Sequence, residues 1–372
     1  MDFTLTSEQR AVSQTFHTFA DRELKPQARD LDENPRFPEE LFLKVGELGL
    51  FGMRYPEPEG SGADLQSYLI AIEELARGSL SVAAACTMQS LMGTYFVAKF
   101  SQGEIRERLL APALRGAIKG TICMTEPNAG SDLFAISTRA REEDGQWLIT
   151  GQKTWITSAP VADVFTVFAR TGEKELSIFL VERGAEGLEV GRAIEKMGVK
   201  SSLTSEVAFD NTPATCILGE RGKGTAYLRE ILAEARLVTA ALALGVAQAA
   251  YEDAIAYAKE RQQFGKPIIK FQAIQTHIGE MAVDLEAARR LTQYSAWRSE
   301  QGMPNDTEAS MAKLFASEAA YRICDKAARV LASYGFANDY PIQRYLRDVR
   351  FTLVGGGTSE ILTINIARAV SA

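Results

Sequence analysis

Residues 125–132, Thr-Glu-Pro-Asn-Ala-Gly-Ser-Asp, are of the types that bind a ligand through backbone and hydroxyl groups. They follow a short apolar run and show no helical spacing. Gly130 allows another group to approach the backbone closely, and Ser131 and Asp132 can donate or accept hydrogen bonds in a tight turn. At the mouth of a β-domain, such a loop can bind a polar ring system or a phosphate. An ordinary connection after a strand has the same pattern.

Two further segments combine an aromatic ring with polar neighbours. Trp155 follows Gly-Gln-Lys, and its ring can stack on a planar ligand or pack in the core. In residues 260–265, Glu-Arg-Gln-Gln-Phe-Gly, Arg261 can bind a pyrophosphate and Phe264 can lie near an adenine. The competing interpretation is simple helix capping, with Gly265 as the C-cap and Arg261 as a favourable charge at the helix end.

The fourth segment is the glycine-rich run at residues 355–360, Gly-Gly-Gly-Thr-Ser-Glu. It has the pattern of a loop that leads into a helix, with Thr358 as the N-cap. The free N–H groups of a helix N-terminus can bind a pyrophosphate. A Rossmann fold is not supported, because the sequence has no Gly-x-Gly-x-x-Gly motif after a strand.

Three regions of different pattern must position these segments. Residues 1–119 show helical spacing of apolar residues. Residues 120–222 contain short β-type runs separated by turns and without intervening helices, which favours an antiparallel barrel or sandwich. Residues 223–372 return to helical spacing. The candidate helices there span residues 225–261, 270–301, 307–334 and 358–369. The sequence therefore predicts an α+β fold with an N-terminal helical domain, a middle β-domain and a C-terminal helical bundle.

Composition excludes several classes of function. The 372 residues are 46% apolar and 24% charged, with a formal charge of −7, so a large core is expected and nucleic-acid binding is disfavoured. The longest apolar runs, such as residues 238–246, are too short for a membrane span. No signal peptide is recognisable, and the four cysteines form no Cys-x-x-Cys motif. We therefore expect a cytoplasmic protein with buried thiols. His17 and His277 are too few for a histidine-based metal site.

Together, in this order and spacing, the four segments closely resemble the acyl-CoA dehydrogenase family. The resemblance runs from Phe3 to about Ala369, and residues 123–135 match the family's first signature at every constrained position. It implies a middle β-barrel domain, a C-terminal four-helix bundle and FAD bound between them. It further implies oxidation of an acyl thioester of CoA or a carrier protein, an electron-transfer flavoprotein or similar acceptor, and a homotetramer that shares FAD across an interface.

The resemblance also assigns individual residues. Those implied for the flavin and its ribityl chain are Ile122, Met124, Thr125, Gly130, Ser131, Trp155, Ile156 and Thr157. Those implied for the remainder of FAD are Arg261, Phe264 and Gln272, which reach a neighbouring subunit, together with Arg329, Ser333, Thr358 and Glu360. Those implied for the acyl-CoA substrate are Ser131, Arg236 and Gly357. Two positions depart from the family pattern: Arg329 stands where glutamine is common, and Ala332-Ser333 stands where two glycines are common.

A more serious departure concerns the catalytic base. Family members usually carry a glutamate just before the Gly-Thr of the last loop, and a minority carry it just before the arginine of the long helix. Here these positions are Gly356 and Ala235. A general base must lie within roughly 3 Å of the proton that it takes, or act through one water. Glu234 is the nearest candidate, but it is rotated by about 100° on the helix, and a structural carboxylate is the alternative.

Three hypotheses follow from this departure. The first is a dehydrogenase with a relocated base, acting on an unusual acyl thioester. The second is a lyase on the same fold that eliminates a leaving group without net oxidation, such as a desulfinase acting on a sulfinylpropionyl thioester. The third is a base-less subunit of a mixed oligomer, which the intact FAD motifs disfavour.

Overall fold

The computed structural model describes residues 3–371, apart from the side chain of Phe134, so the predicted domain limits at residues 1 and 372 lie outside the described part. The chain forms an N-terminal group of helices, a β-sheet domain and a C-terminal group of helices. This order confirms the predicted α+β architecture.

The N-terminal region is helical throughout. Its helices are α1 (Ser7–Phe19), α2 (Lys25–Glu33), α3 (Glu39–Glu47), α4 (Leu65–Gly78), α5 (Leu80–Thr87), α6 (Tyr95–Phe100) and α7 (Gly103–Leu114). Thr6 caps α1 in a capping box with Gln9, which supplies hydrogen bonds to the first free amides of the helix. The apolar stretch Leu80–Phe100 is long enough to cross a membrane, but 83% of it is buried inside the protein.

The middle domain contains eight strands in one sheet. They are β1 (Gly120–Cys123), β2 (Arg139–Glu143), β3 (Gln146–Thr157), β4 (Val164–Arg170), β5 (Leu176–Glu182), β6 (Leu188–Val190), β7 (Thr204–Pro213) and β8 (Cys216–Ile217). The order is β6-β7-β3-β2-β4-β5-β8, with β1 beside β4. Most neighbours are antiparallel, as predicted. The β1–β4 pair is parallel, because the long intervening chain lets β4 run in the same direction as β1.

The C-terminal region is built on one very long helix. It comprises α8 (Gly224–Glu260), a small hairpin of β9 (Gln262–Gln263) and β10 (Lys266–Pro267), α9 (Gln272–Glu300), α10 (Asp306–Leu331), α11 (Ile342–Asp348), α12 (Arg350–Val354) and α13 (Ser359–Val370). The predicted helix bounds agree with these within a few residues. Helix α8 packs against α9 and α10 on one side and against α4 on the other, so it joins the two helical regions through one continuous core.

Candidate active site

The 125–132 loop begins where β1 ends and is folded into a tight reverse turn. The backbone groups of Glu126 and Ala129 exchange two hydrogen bonds of 3.0 and 3.1 Å. The Thr154 amide donates to the carbonyl oxygen of Thr125 at 2.9 Å, so the loop lies beside the end of β3. The first and second predicted segments are therefore neighbours in space.

A buried ion pair supports this loop from beneath. Lys153 Nζ lies 2.9 Å from Glu126 Oε1 and also donates to the carbonyl oxygen of Met124 at 3.1 Å. The carboxylate of Glu126 further accepts the amides of Ser137 and Thr138 at 2.7 and 3.0 Å. Burial alone would raise the pKa of Glu126, but these hydrogen bonds outweigh it and lower the pKa to about 2. The carboxylate is therefore ionised, and the loop is held in one conformation.

Trp155 projects outward beside the loop. It lies at a break in the pairing of β3 with β7, has a positive φ of 58° and is 57% exposed. The interpretation of Trp155 as a core residue is therefore wrong, and its ring is available for stacking. A Cβ built on Gly130 meets no atom within 4 Å, so packing within the chain does not require a glycine there. Of the other residues predicted here, Ile122 and Ile156 are buried, Met124, Thr125 and Thr157 are half-buried, and Ser131 is exposed.

The glycine-rich loop before α13 has the predicted form. Gly356 and Gly357 have φ values of 71° and 106°, a region that favours glycine. Thr358 is the N-cap, and its hydroxyl accepts the Ile361 amide at 3.3 Å. Buried Lys313 donates to the carbonyl oxygen of Gly357 at 2.6 Å, and burial lowers the pKa of this lysine to about 8. The helix N-terminus is thus held in place from α10, with the predicted residue Glu360 exposed in its first turn.

The two positions at which the family places a glutamate converge in space. A Cβ built on Gly356 lies 2.8 Å from Thr239 Oγ1 and 3.8 Å from the carbonyl oxygen of Ala235. The loop before α13 and the middle of α8 therefore meet at one point. Neither residue carries a group that can accept a proton there.

Glu234, the candidate base, is engaged by an arginine from the N-terminal region. Nη2 of Arg54 donates to Glu234 Oε2, and the two side chains are only 12% and 22% exposed. Sequence reasoning missed Arg54. The sequence feature that could have revealed Arg54 is a charged residue directly after an apolar run, Leu50–Gly52 and Met53, all of which are buried in the structure. The catalytic assignment of Glu234 stays a prediction.

Arg236, predicted to line the acyl-CoA pocket, is held at one end only. Its Nη1 lies 2.9 Å from Asp306 Oδ1 at the start of α10. Its Nε is buried and, within the part of the chain that the structure describes, makes no hydrogen bond. A buried N–H without an acceptor costs free energy, which supports an orientation for a ligand rather than for stability. Lys313 lies near both Gly357 and Arg236. It donates a hydrogen bond to the carbonyl oxygen of Gly357, and the positive charge of Arg236 contributes to lowering its pKa.

The third predicted segment forms an exposed hairpin rather than a helix cap. Helix α8 ends earlier, with Arg261 as its C-cap residue, so the prediction of Gly265 as C-cap is wrong. Phe264 and Gly265 both have positive φ, 49° and 76°, as expected for a tight turn between two antiparallel strands. The Phe264 ring is 93% exposed at the tip. Arg261 lies over the ring of Tyr334, 5.7 Å from its centroid.

The remaining residues predicted for the dinucleotide lie at the surface near the ends of α9 and α10. Gln272 is the first residue of α9. Arg329 pairs with Asp325 at 2.8 Å, and Ser333 is exposed. Ala332 has a φ of 52°, in the region that favours glycine, which agrees with the glycine that the family pattern predicts at this position.

Within residues 3–371 the structure contains no group of three or more His, Cys, Asp or Glu side chains that could hold a metal ion. His17 instead lies 3.0 Å from Glu74. Cys86, Cys123 and Cys324 are buried and Cys216 is half-buried, and all four are free thiols.

Comparisons with known proteins give a consistent result over the full length of the chain. Family models match in three consecutive parts: acyl-CoA dehydrogenase, N-terminal domain, at residues 6–117; middle domain at 121–212; and C-terminal domain at 222–371. The chain is 58% identical to benzylmalonyl-CoA dehydrogenase of Aromatoleum aromaticum, with 100% of both chains covered.

Solved structures agree with this result. A chain in the structure of the electron transferring flavoprotein of Acidaminococcus fermentans superposes with a TM-score of 0.96 at 34% identity, covering 100% of this chain and 99% of that one. Butyryl-CoA dehydrogenase from Megasphaera elsdenii superposes with a TM-score of 0.96 at 33% identity, with 100% of both chains covered.

Proposed function

Because the chain belongs to the acyl-CoA dehydrogenase family, a family of FAD-dependent oxidoreductases, we propose that it oxidises an acyl-CoA thioester that carries a free carboxylate on its α-carbon. The carboxylate leaves as CO₂ during the oxidation. The observation that carries this proposal is the convergence of Gly356 and Ala235, the two base positions, at a point without a proton acceptor.

The residues of this chain fit FAD. Trp155 presents an exposed ring beside the 125–132 loop, which suits stacking on a flavin. The capped N-terminus of α13, held by Lys313, suits the pyrophosphate. We propose that these groups, with Arg261 and Phe264 of a neighbouring subunit, hold the cofactor. When bound, FAD accepts a hydride from the substrate's β-carbon.

Decarboxylation removes the need for a base. In an ordinary saturated acyl thioester, a base must take the α-proton so that the C–H electron pair can form the double bond. In an α-carboxylated thioester, R–CH₂–CH(COO⁻)–CO–SCoA, the C–COO⁻ bond breaks and its electron pair forms the double bond. The products are R–CH=CH–CO–SCoA, CO₂ and one hydride equivalent, for which bound FAD would be the acceptor. Atoms and charge balance, and no proton has to leave the substrate.

The similarity to benzylmalonyl-CoA dehydrogenase supports this substrate class. A malonyl thioester has its second carboxyl group on the α-carbon, and the benzyl group supplies the β-carbon. The relative is 58% identical over the whole chain, which exceeds the identity to the straight-chain enzyme from Megasphaera elsdenii. We propose a 2-(arylmethyl)malonyl-CoA as the substrate and an arylacrylyl-CoA as the product.

Anaerobic titration of the purified holoenzyme tests this proposal. With 2-benzylmalonyl-CoA, we expect the flavin absorbance to bleach and one CO₂ to be released per flavin reduced. With 3-phenylpropionyl-CoA, which lacks only the carboxylate, we expect no bleaching on the same timescale.

The other outcomes identify the competing hypotheses. Bleaching by 3-phenylpropionyl-CoA without CO₂ would contradict the proposal and support a relocated base such as Glu234. Turnover of a sulfinylpropionyl thioester without any electron acceptor would support the lyase. A preparation that binds FAD but reacts with none of these thioesters would support the base-less subunit.

We also propose a homotetramer and an electron-transfer flavoprotein as acceptor. The rings of Phe264 and Phe336 are 93% and 92% exposed, and the burial of such large apolar side chains against a further subunit supports this assembly. The similarity to a chain in an electron transferring flavoprotein structure supports the acceptor.

A further inference from the structure

Arg54 pairs with Glu234, the residue of α8 that immediately precedes Ala235. Arg54 follows the buried turn Leu50–Gly52 of the N-terminal region, whereas its partner Glu234 belongs to α8. Glu234 immediately precedes Ala235, whose carbonyl oxygen is 3.8 Å from a Cβ built on Gly356. We propose that Arg54 binds the free carboxylate of the substrate and that Glu234 is the counter-ion that occupies Arg54 before substrate arrives. This assignment rests on the proposed function and specifies how that site selects its substrate.

Three aromatic rings surround the guanidinium of Arg54. Its guanidinium carbon lies 6.0, 5.7 and 5.8 Å from the ring centroids of Tyr55, Tyr68 and Tyr95. Aromatic faces attract a cation electrostatically, and the attraction is stronger when the cation is desolvated. Burial alone would lower the pKa of Arg54, but the attraction of Glu234, with smaller contributions from Tyr68 and Tyr55, outweighs it and raises the pKa. A second anion can therefore approach a cation that the protein already stabilises.

The tyrosine rings are themselves fixed. The hydroxyl of Tyr55 lies 2.7 Å from Thr94 Oγ1, that of Tyr68 lies 2.6 Å from Ser90 Oγ, and that of Tyr95 donates to Glu230 at 2.7 Å. These anchors hold the rings around the guanidinium. The cation is consequently positioned before any ligand binds, which reduces the entropy lost on binding.

The hydrogen-bonding capacity of arginine suits two carboxylates. A guanidinium has five N–H donors in a planar fork and can bind a carboxylate through two parallel hydrogen bonds. The bond to Glu234 uses Nη2, and in the proposed complex the substrate carboxylate binds other N–H groups of the guanidinium. A thioester without the α-carboxylate leaves the Arg54–Glu234 pair as it is and gains nothing from it. In a protein that lacks Arg54, the negative charge of Glu234 would repel a carboxylated thioester.

A purely structural role is the competing explanation, since the pair also links the N-terminal region to α8. Buried ion pairs contribute little net stability relative to apolar replacements, because desolvation offsets the attraction between the charges. The structural role predicts equal effects on every thioester, whereas carboxylate binding predicts an effect on carboxylated thioesters only. The two explanations can therefore be separated by ligand binding.

Malonyl-CoA and acetyl-CoA are suitable probes, because they differ only in the α-carboxylate and neither has a β-hydrogen to transfer. Dissociation constants would be measured by calorimetry on the holoenzyme. We expect the wild-type protein to bind malonyl-CoA more tightly. In Arg54→Gln, we expect the Kd of malonyl-CoA to rise about 10- to 100-fold, as for the loss of a charged hydrogen-bonded pair. The Kd of acetyl-CoA should change by less than about threefold.

The chain offers matched controls. Arg141 pairs with Glu143 at 2.6 Å on the surface of β2, so Arg141→Gln removes an arginine from an ion pair outside the site and should leave both dissociation constants unchanged. Glu234→Gln removes the competing anion and should bind malonyl-CoA at least as tightly as the wild-type protein. Arg54→Lys keeps the positive charge and should retain part of the preference, even if Arg54→Gln fails to fold.

The outcomes separate this inference from the proposed function. Equal weakening of both thioesters in Arg54→Gln, or loss of malonyl-CoA binding in Glu234→Gln, would overturn the role of Arg54. A wild-type protein without preference for malonyl-CoA would overturn it as well. If the preference depends on Arg54 but 2-benzylmalonyl-CoA is not oxidised, the carboxylate site stands and only the proposed reaction is wrong. If 2-benzylmalonyl-CoA is oxidised equally well by Arg54→Gln, the reaction stands and this inference is wrong.

Discussion

Returning a glutamate to position 356 should give this protein the ability to oxidise thioesters that lack an α-carboxylate. Gly356 stands where the family resemblance predicts the base, and a Cβ added there lies 3.8 Å from the carbonyl oxygen of Ala235. If the lack of a proton acceptor is what restricts the reaction, Gly356→Glu supplies the missing group. A positioned general base contributes about 10²–10⁴ in rate, so the rate of flavin reduction by 3-phenylpropionyl-CoA should rise by about that factor.

The structure indicates the cost of this substitution. Gly356 has a φ of 71°, and a non-glycine residue in the left-handed region costs roughly 1–2 kcal/mol. The added Cβ would lie 2.8 Å from Thr239 Oγ1, so this hydroxyl must move and give up its 2.9 Å hydrogen bond to Ala235, at about 1 kcal/mol. The total of about 2–3 kcal/mol is below the stability of a typical domain, and the variant should therefore fold.

Gly356→Gln is the matched control, because it has the same size and the same backbone strain but cannot accept the proton. Both variants would be reduced anaerobically with 3-phenylpropionyl-CoA in a stopped-flow instrument while flavin absorbance is followed. Equal rates in the Glu and Gln variants, with FAD bound in both, would refute the reasoning. We also expect Gly356→Glu to bind 2-benzylmalonyl-CoA more weakly, because two carboxylates would then face each other.

Three further predictions concern the ion pair beneath the 125–132 loop, the buried Asp348 that accepts the Val199 amide, and the proposed cross-subunit contact. Glu126→Gln leaves Lys153 buried without a counter-charge, which should destabilise the protein by about 3–5 kcal/mol and reduce the ratio of flavin to protein absorbance after purification. Burial raises the pKa of Asp348 from 3.8 to about 6. The free energy of unfolding should thus fall by about 3 kcal/mol as pH rises from about 4 to 6, since the folded state binds the extra proton there. Asp348→Asn should abolish this fall in pH-dependent thermal unfolding. Arg261→Ala should reduce FAD retention and tetramer content in size-exclusion chromatography with light scattering, whereas Lys259→Ala should change neither.

Each of these predictions has an outcome that contradicts it. Full flavin content and an unchanged Tm in Glu126→Gln would show that the ion pair does not support the 125–132 loop. The same pH slope in Asp348→Asn and the wild-type protein would assign the slope to other groups. An intact, fully loaded tetramer of Arg261→Ala would remove this residue from the proposed cross-subunit contact.

Much of the fold follows from local pattern. The bounds of α8, α9 and α10 agree with the spacing of apolar residues within a few positions, because long amphipathic or apolar helices have a strong periodic signal. The break within the apolar stretch Leu80–Phe100, where a π-helical segment, Met88–Gly93, separates α5 from α6, does not follow from the pattern. Uniformly buried apolar residues give no periodicity that would reveal such a break.

Part of the candidate site also follows from local sequence pattern, and part depends on contacts between residues that are distant in sequence. The glycines at 356 and 357 and the N-cap Thr358 are local features, and they were predictable from turn and capping chemistry. The outward orientation of Trp155 depends on the mismatch between β3 and β7, which involves residues distant in sequence. The ion pair between Arg54 and Glu234 joins residues from two domains. No local pattern in either segment specifies its partner, so only the tertiary structure reveals the pair.

The convergence of Gly356 and Ala235 has a consequence for how this family can diversify. A single point near the substrate's α-carbon can be reached from a loop or from a helix, and the two are far apart in the gene. A carboxylate can therefore be acquired at one position before it is lost at the other, through intermediates that keep a working enzyme. Once a substrate supplies its own leaving group, selection on both positions relaxes together. Two small residues at these positions would then mark decarboxylating lineages in a sequence collection, independently of overall identity.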